Sequence, residues 1–183
     1  MDAKSLVLTI RAAWSKTLHE VFQCEAIPNE ATLQARFVHH IAVAEPKLEI
    51  VCEPAIQIHV AGQASRFQPD VVVSLGGRIR AYIELKMSLL GCVPYHYDLT
   101  KLKHLANNRS PVNLRVDPRT GGFIKSSYLN SDDCLAVFGV VVPLDARKGN
   151  CDANDEEARK LDMDVMGDRW VHLTPNEYPR TLQ

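Results

Sequence analysis

Apolar positions along the chain change their period several times, and each change marks an element. From residue 3 to 24, Val7, Ile10, Trp14, Leu18 and Val21 recur at helical spacing, with Arg11, Lys16 and Glu20 opposite. That pattern predicts an amphipathic helix with Trp14 in its packed face. Pro28-Asn29-Glu30 reads as the next helix start, with Asn29 as N-cap and the helix running to about Ala44, before Pro46. Phe37 and Ile41 share one stripe of this second helix, and Glu30 projects from the same stripe at the first turn. A carboxylate there either complements the helix dipole or points toward chemistry elsewhere, and Gln34 lies one turn further on. His39 and His40 are adjacent, face different directions and make a poor metal pair.

The period then shortens. Residues 48–60, LEIVCEPAIQIHV, supply one or two strands interrupted at Pro54, with Ile56, Ile58 and Val60 facing one side and Gln57 and His59 the other. Polar residues 61–65 turn the chain back through Arg66-Phe67 into FQPDVVVSLGGRIRAYIELKMSLL, so that a three-strand meander is expected. Helical spacing returns from about Tyr95 to Asn108, with Leu99, Leu102, Leu105 and Ala106 as the apolar stripe and Lys101, His104 and Asn108 on another face. Asp98 precedes Lys101 by three residues, the spacing of a surface pair. A loop follows at 109–126, containing Pro111, Pro118 and Gly121-Gly122. The most apolar run, 134–142, reads as a central strand reached through a helical crossover, the way parallel neighbours are joined. Beyond Pro143 come a polar loop at 145–155, a helix opened by Asn154 and Glu157, and a last strand at Trp170–Leu173. The expected architecture is one α/β domain over 1–183, a mixed central sheet flanked by helices.

The stretch 67–90 carries the chemistry. Val71–Leu75 and Ile79–Leu85 flank Gly76-Gly77, a dipeptide suited to the positive backbone angles of a tight hairpin turn. Pairing about that turn sets Asp70 across from Ile83 and Glu84. Alternation puts Tyr82, Glu84 and Lys86 on one face, so Asp70, Glu84 and Lys86 converge at one end of a buried sheet. Two carboxylates there are costly without a compensating cation. Such oxygen ligands suit Mg²⁺, which takes one or two carboxylates and keeps several waters. A lysine beside them can stabilise or help deprotonate a bound water.

Pro69-Asp70 followed by Glu84-Leu85-Lys86 resembles the PD-(D/E)XK signature of the restriction-endonuclease-like superfamily. The resemblance covers about residues 29–142 and implies an αβββαβ core, leaving the first helix and the C-terminal third as additions. It implies a Mg²⁺- (or Mn²⁺-) dependent deoxyribonuclease, most simply an endonuclease. Asp70, Glu84 and the backbone carbonyl of Leu85 would hold the metal, Lys86 would position the attacking water, and Glu30 would bind or orient a second ion. DNA is the implied partner, with a homodimer or a targeting protein as further company.

Composition narrows the context. The chain has 183 residues, 46% of them hydrophobic, and a net charge of −1, so any basic surface must be local. Residues 101–125 supply it: Lys101, Lys103, Arg109, Arg115, Arg119 and Lys125 stand against the single acid Asp117, a segment suited to phosphate contact. The five scattered cysteines, without a CxxC pair, suggest reduced thiols in a cytoplasmic protein. No run approaches the ~20 apolar residues of a membrane span. Two other classes compete with a nuclease: a binding module that keeps the fold without catalysis, and a histidine-based ribonuclease using His39, His59 or His96.

Overall fold

The computed structural model describes residues 1–23, 29–87, 96–114, 127–141 and 167–173. The expected polar loop and helix between 145 and 166 lie outside the described residues, as do Arg115, Arg119, Lys125 and the tail from Thr174.

Helix α1 (Ala3–Gln23) and helix α2 (Glu30–Ala44) fall where the helical periodicity places them. The Asn29 side chain caps α2, its Oδ1 accepting the Thr32 backbone N–H at 2.8 Å and the Thr32 hydroxyl at 3.0 Å. The two helices pack together through Trp14 and Phe37, whose rings meet edge-on with centroids 5.8 Å apart.

Strands β1 (Glu49–Cys52), β4 (Val71–Leu75), β5 (Arg78–Met87), β6 (Val112–Asn113), β7 (Ser127–Val141) and β8 (Trp170–Leu173) make the central sheet, and β2 (Ile56–Val60) with β3 (Gln63–Phe67) makes a separate two-stranded ribbon. The central order is β1-β4-β5-β7-β6, with β8 also paired to β7. Pairing is antiparallel for β1–β4, β4–β5 and β6–β7, and parallel for β5–β7 and β7–β8. The sheet is therefore mixed, and helix α3 (His96–Asn107) lies in the crossover between the parallel strands β5 and β7.

Each sheet face has its own core. Val71, Val73, Ala81, Ile83 and Leu85 pack with Trp14, Leu18, Leu33, Phe37 and Ile41 of α1 and α2. Val72, Tyr82, Ala136 and Phe138, on the opposite face, pack with Leu99, Leu102 and Leu105 of α3 and with Ile56, Ile58 and Phe67 of the ribbon. A buried Leu, Ile or Phe contributes about 1.5–3 kcal/mol, so burial holds these helices in place and a cap near 1 kcal/mol only trims their ends.

Four expectations need correction. The meander exists as β1-β4-β5, but β2 leaves it for the ribbon. Residues 63–67 are a strand, with the turn confined to Ala61 and Gly62 at φ of 50° and 81°. Only Phe67 of β3 is buried, so its alternation carried little hydrophobic signal and pairing with β2 decides its conformation. In place of an unbroken loop after residue 109, β6 occupies Val112–Asn113. Strand β7 begins at Ser127, seven residues before the apolar run, because its polar start is buried through hydrogen bonds. Tyr128 donates its hydroxyl to Glu49 at 2.9 Å, and Ser131 donates to the Ile79 carbonyl at 3.0 Å. Asn130 donates its amide to the carbonyls of Leu105, Ala106 and Asn108 at 2.7–3.2 Å, closing the C-terminus of α3 onto the sheet. Its Oδ1 accepts the Tyr82 hydroxyl at 2.9 Å.

Asn29→Ala should lower stability by about 1 kcal/mol, and Asn29→Gly by only a few tenths, measured as urea midpoints. Equal losses for the two substitutions would show that Asn29 does not act as a cap.

Candidate metal centre

The hairpin turn is set by Gly76 and Gly77, at φ of 59° and 74°, a region where only glycine sits without steric cost. Val71 pairs with Ile83, so the next residue outward, Asp70, stands opposite Glu84. Its carboxylate Oδ2 accepts the Leu85 backbone N–H at 2.6 Å. The Asp70 carbonyl is gripped from two sides, by the Gln34 side-chain amide at 2.8 Å and the Glu53 N–H at 2.9 Å. In an extended strand the N–H and C=O of one residue point to the same edge, so the Leu85 carbonyl also faces the Asp70 side.

Glu84 is 2% exposed. Its Oε1 lies 3.3 Å from the Lys86 ammonium and its Oε2 lies 2.6 Å from that of Lys101. The second contact is an ion pair set off the line of an aligned hydrogen bond. Lys86 also approaches Glu30 Oε1 at 3.4 Å and Asp98 Oδ2 at 3.8 Å. Glu30 reaches the site from the first turn of α2 and accepts the Met87 backbone N–H at 3.2 Å. The sequence-predicted set of Asp70, Glu84, Leu85, Lys86 and Glu30 is thus brought together at the ends of β4 and β5.

Lys101 departs from expectation. Expected on a phosphate-contacting surface as part of the basic segment 101–125, it is instead 6% exposed, with its ammonium 3.5 Å from Asp98 Oδ1 and 3.2 Å from the Gln68 carbonyl oxygen. Its pairing with Asp98 is real but lies inside the site and not on the surface. Helix α3 packs Leu99 and Leu102 on the sheet face that carries Glu84, so of the residues preceding each, Lys101 reaches the buried carboxylate and Asp98 reaches the two lysines beside it. Their position one turn apart beside a buried stripe was the available signal. Among the other basic residues, Lys103 is partly exposed and the exposed Arg109 stands 3.5 Å from Asp132.

Electrostatics follow from burial. Burial first, and then the charge of Asp70, pushes the Glu84 carboxyl up to about 7 despite the pull of Lys101 and Lys86. Asp70 is also raised by burial, against the lowering effect of the Leu85 N–H. For Lys86, burial alone would lower the ammonium's pKa. The carboxylates of Glu84, Asp98, Asp70 and Glu30 outweigh it and push the value up, so the lysine stays charged. Among the described residues no group of three His, Cys, Asp or Glu side chains is arranged to hold a metal ion. The donor set is two carboxylates and a carbonyl, which fits a hard cation that keeps much of its water. A cavity of about 260 Å³ on α1 and α2, lined by Ser15, Lys16, His19, Glu20 and His40, includes none of these groups.

Comparison with known proteins found no matching family model, no similar curated protein and no similar solved structure. Among the described residues no helix is long and apolar enough to cross a membrane, and Cys52 and Cys134 are free thiols.

Because Glu84 binds its proton more tightly folded than unfolded, metal-free protein should lose stability as pH rises from about 4.5 to about 7. The loss is on the order of 3 kcal/mol, and Asp70, also raised, acts in the same direction. Glu84→Gln should flatten most of this slope in urea titrations at about pH 5 and pH 7.5. Parallel slopes for the two proteins would rule out a buried, proton-holding Glu84.

Proposed function

We propose that this protein is a metal-dependent nuclease that hydrolyses DNA phosphodiester bonds on a restriction-endonuclease-like αβββαβ core. The observation that carries the reading is the meeting of Asp70, Glu84 and Lys86 where two buried strands end. The order α2, β1, β4, β5, α3, β7, with the β2–β3 ribbon inserted, supports the assignment of that core. Asp70, Glu84 and the Leu85 carbonyl are the groups that would hold Mg²⁺ or Mn²⁺. When bound, such an ion supplies Lewis acidity toward a phosphoryl group and a water of lowered pKa.

The chain's own residues do the rest. Lys86 is partly exposed, so its ammonium can face both Glu84 and an incoming phosphate, orienting water and offsetting negative charge as it gathers. Glu30 fixes Lys86 and the Met87 N–H together, which makes it a positioning group in this site. Gln34 and the Glu53 N–H hold Asp70 through its carbonyl. Of the basic segment 101–125, Lys103 and Arg109, on and just after α3, are the described residues outside the buried site that would meet DNA backbone.

A second reading has one observation in its favour. Both Glu84 oxygens are already met by lysines, as in a fold that has kept its charges and given up catalysis for binding nucleic acid or protein.

The deciding experiment is cleavage of supercoiled plasmid and of a labelled single strand with Mg²⁺, Mn²⁺ or EDTA. Wild type should cut only with metal. Asp70→Ala, Glu84→Ala and Lys86→Ala should each lose at least about a hundredfold in rate while keeping a cooperative melt. Undiminished cutting by Lys86→Ala would remove the assignment of its role. Absence of cutting by wild type with any of these additions would favour the binding module.

A further inference from the structure

Lys101 is a buried lysine on which the function just proposed makes no demand. Its ammonium has oxygen neighbours from three separate segments: Glu84 Oε2 on β5 at 2.6 Å, Asp98 Oδ1 on α3 at 3.5 Å, and the Gln68 carbonyl between β3 and β4 at 3.2 Å. A shell of one neutral and two charged oxygens is what a bound cation would receive. The ammonium donates to the Gln68 carbonyl and is flanked by the two carboxylates as ion pairs, and the chain supplies this cation without cost in binding entropy.

The charge count around it is specific. Glu30, Asp70, Glu84 and Asp98 face Lys86 and Lys101. With Asp70 and Glu84 ionised, as ligation of a metal ion requires, four carboxylates against two ammonium groups leave two negative charges in excess. One divalent ion removes that excess; a second would leave an equal excess of positive charge in a largely desolvated place, where unpaired charge is costly. Asp98 matters to the arrangement because it stands between the two lysines, at 3.8 Å from Lys86 and 3.5 Å from Lys101. It holds both ammonium groups against Glu84 instead of letting either move to solvent.

Resting on the nuclease reading, we infer that Lys101 is the site's second cation, tethered by α3, and that the centre therefore takes a single divalent ion. Lys86, partly exposed, is the cation of the pair open to an incoming phosphate; Lys101 is the enclosed one.

Metal-stripped full-length protein is titrated with Mn²⁺, the free ion counted by room-temperature electron paramagnetic resonance and the heat by calorimetry. Wild type is expected to bind one ion per chain, Lys101→Arg one, and Lys101→Met two. Circular dichroism and melting check the fold of each variant, and where Lys101→Met does not fold, the wild-type and Lys101→Arg counts decide. Two ions on wild type, or one on a folded Lys101→Met with affinity within about twofold of wild type, overturns the inference and leaves the nuclease reading standing. No ion on wild type, with Lys101→Met equally silent, overturns both.

Discussion

A carboxylate inside a sheet is the constraint on which this structure turns. Glu84 belongs to β5, a strand covered on one face by α1 and α2 and on the other by α3 and the β2–β3 ribbon. Ionising it there costs several kcal/mol unless opposite charge is brought close. The surrounding site can be understood as that compensation: Lys86 two residues on, Lys101 from α3, and further acids that hold the lysines in turn. The compensation is incomplete, as the raised pKa of Glu84 indicates. A residual demand for positive charge is what a cation-binding centre requires, and it gives the proposed metal chemistry its physical basis.

The fold delivers these groups through separate devices. Glycines at the hairpin turn start the pairing at Leu75 and Arg78, and a one-residue register shift between Val73 and Ser74 then sets Asp70 opposite Glu84. Asn29 starts α2 one residue before Glu30, so the carboxylate emerges at the helix end nearest the hairpin. Asn130 ties the far end of α3 to the sheet, and the buried leucines of that helix fix the rotation that turns Asp98 and Lys101 inward. Gln34 and the Glu53 N–H immobilise the backbone of Asp70. Several of these contacts join residues more than thirty positions apart, so the site depends on the packing of both layers.

Local pattern made much of this legible. Helix α2 runs from the residue after its predicted cap to Ala44, β4 and β8 match their apolar runs, and the D…E-x-K spacing on a glycine-turned hairpin marked the ends of β4 and β5. These features are governed by interactions within a turn or between adjacent strands, which the order of residues encodes directly. Strand β3 and the first half of β7 escaped because their residues are mostly polar. They are strands because a partner strand or a distant carbonyl satisfies them, and such partners leave no periodic trace.

The hairpin, the capped helix and the acid-acid-lysine spacing can be read from residue order, because each follows from short-range periodicity and turn chemistry; the register shift between Val73 and Ser74 that sets Asp70 opposite Glu84 cannot. What Lys101 does is set by packing alone. Its position in a basic stretch reads as surface charge, and the helix stripe tells only that its neighbours are buried. Which face of the sheet α3 covers, and how far along it sits, is set by packing against Val72, Tyr82 and Phe138. That placement puts an ammonium 2.6 Å from Glu84 and turns an ordinary surface lysine into part of the site.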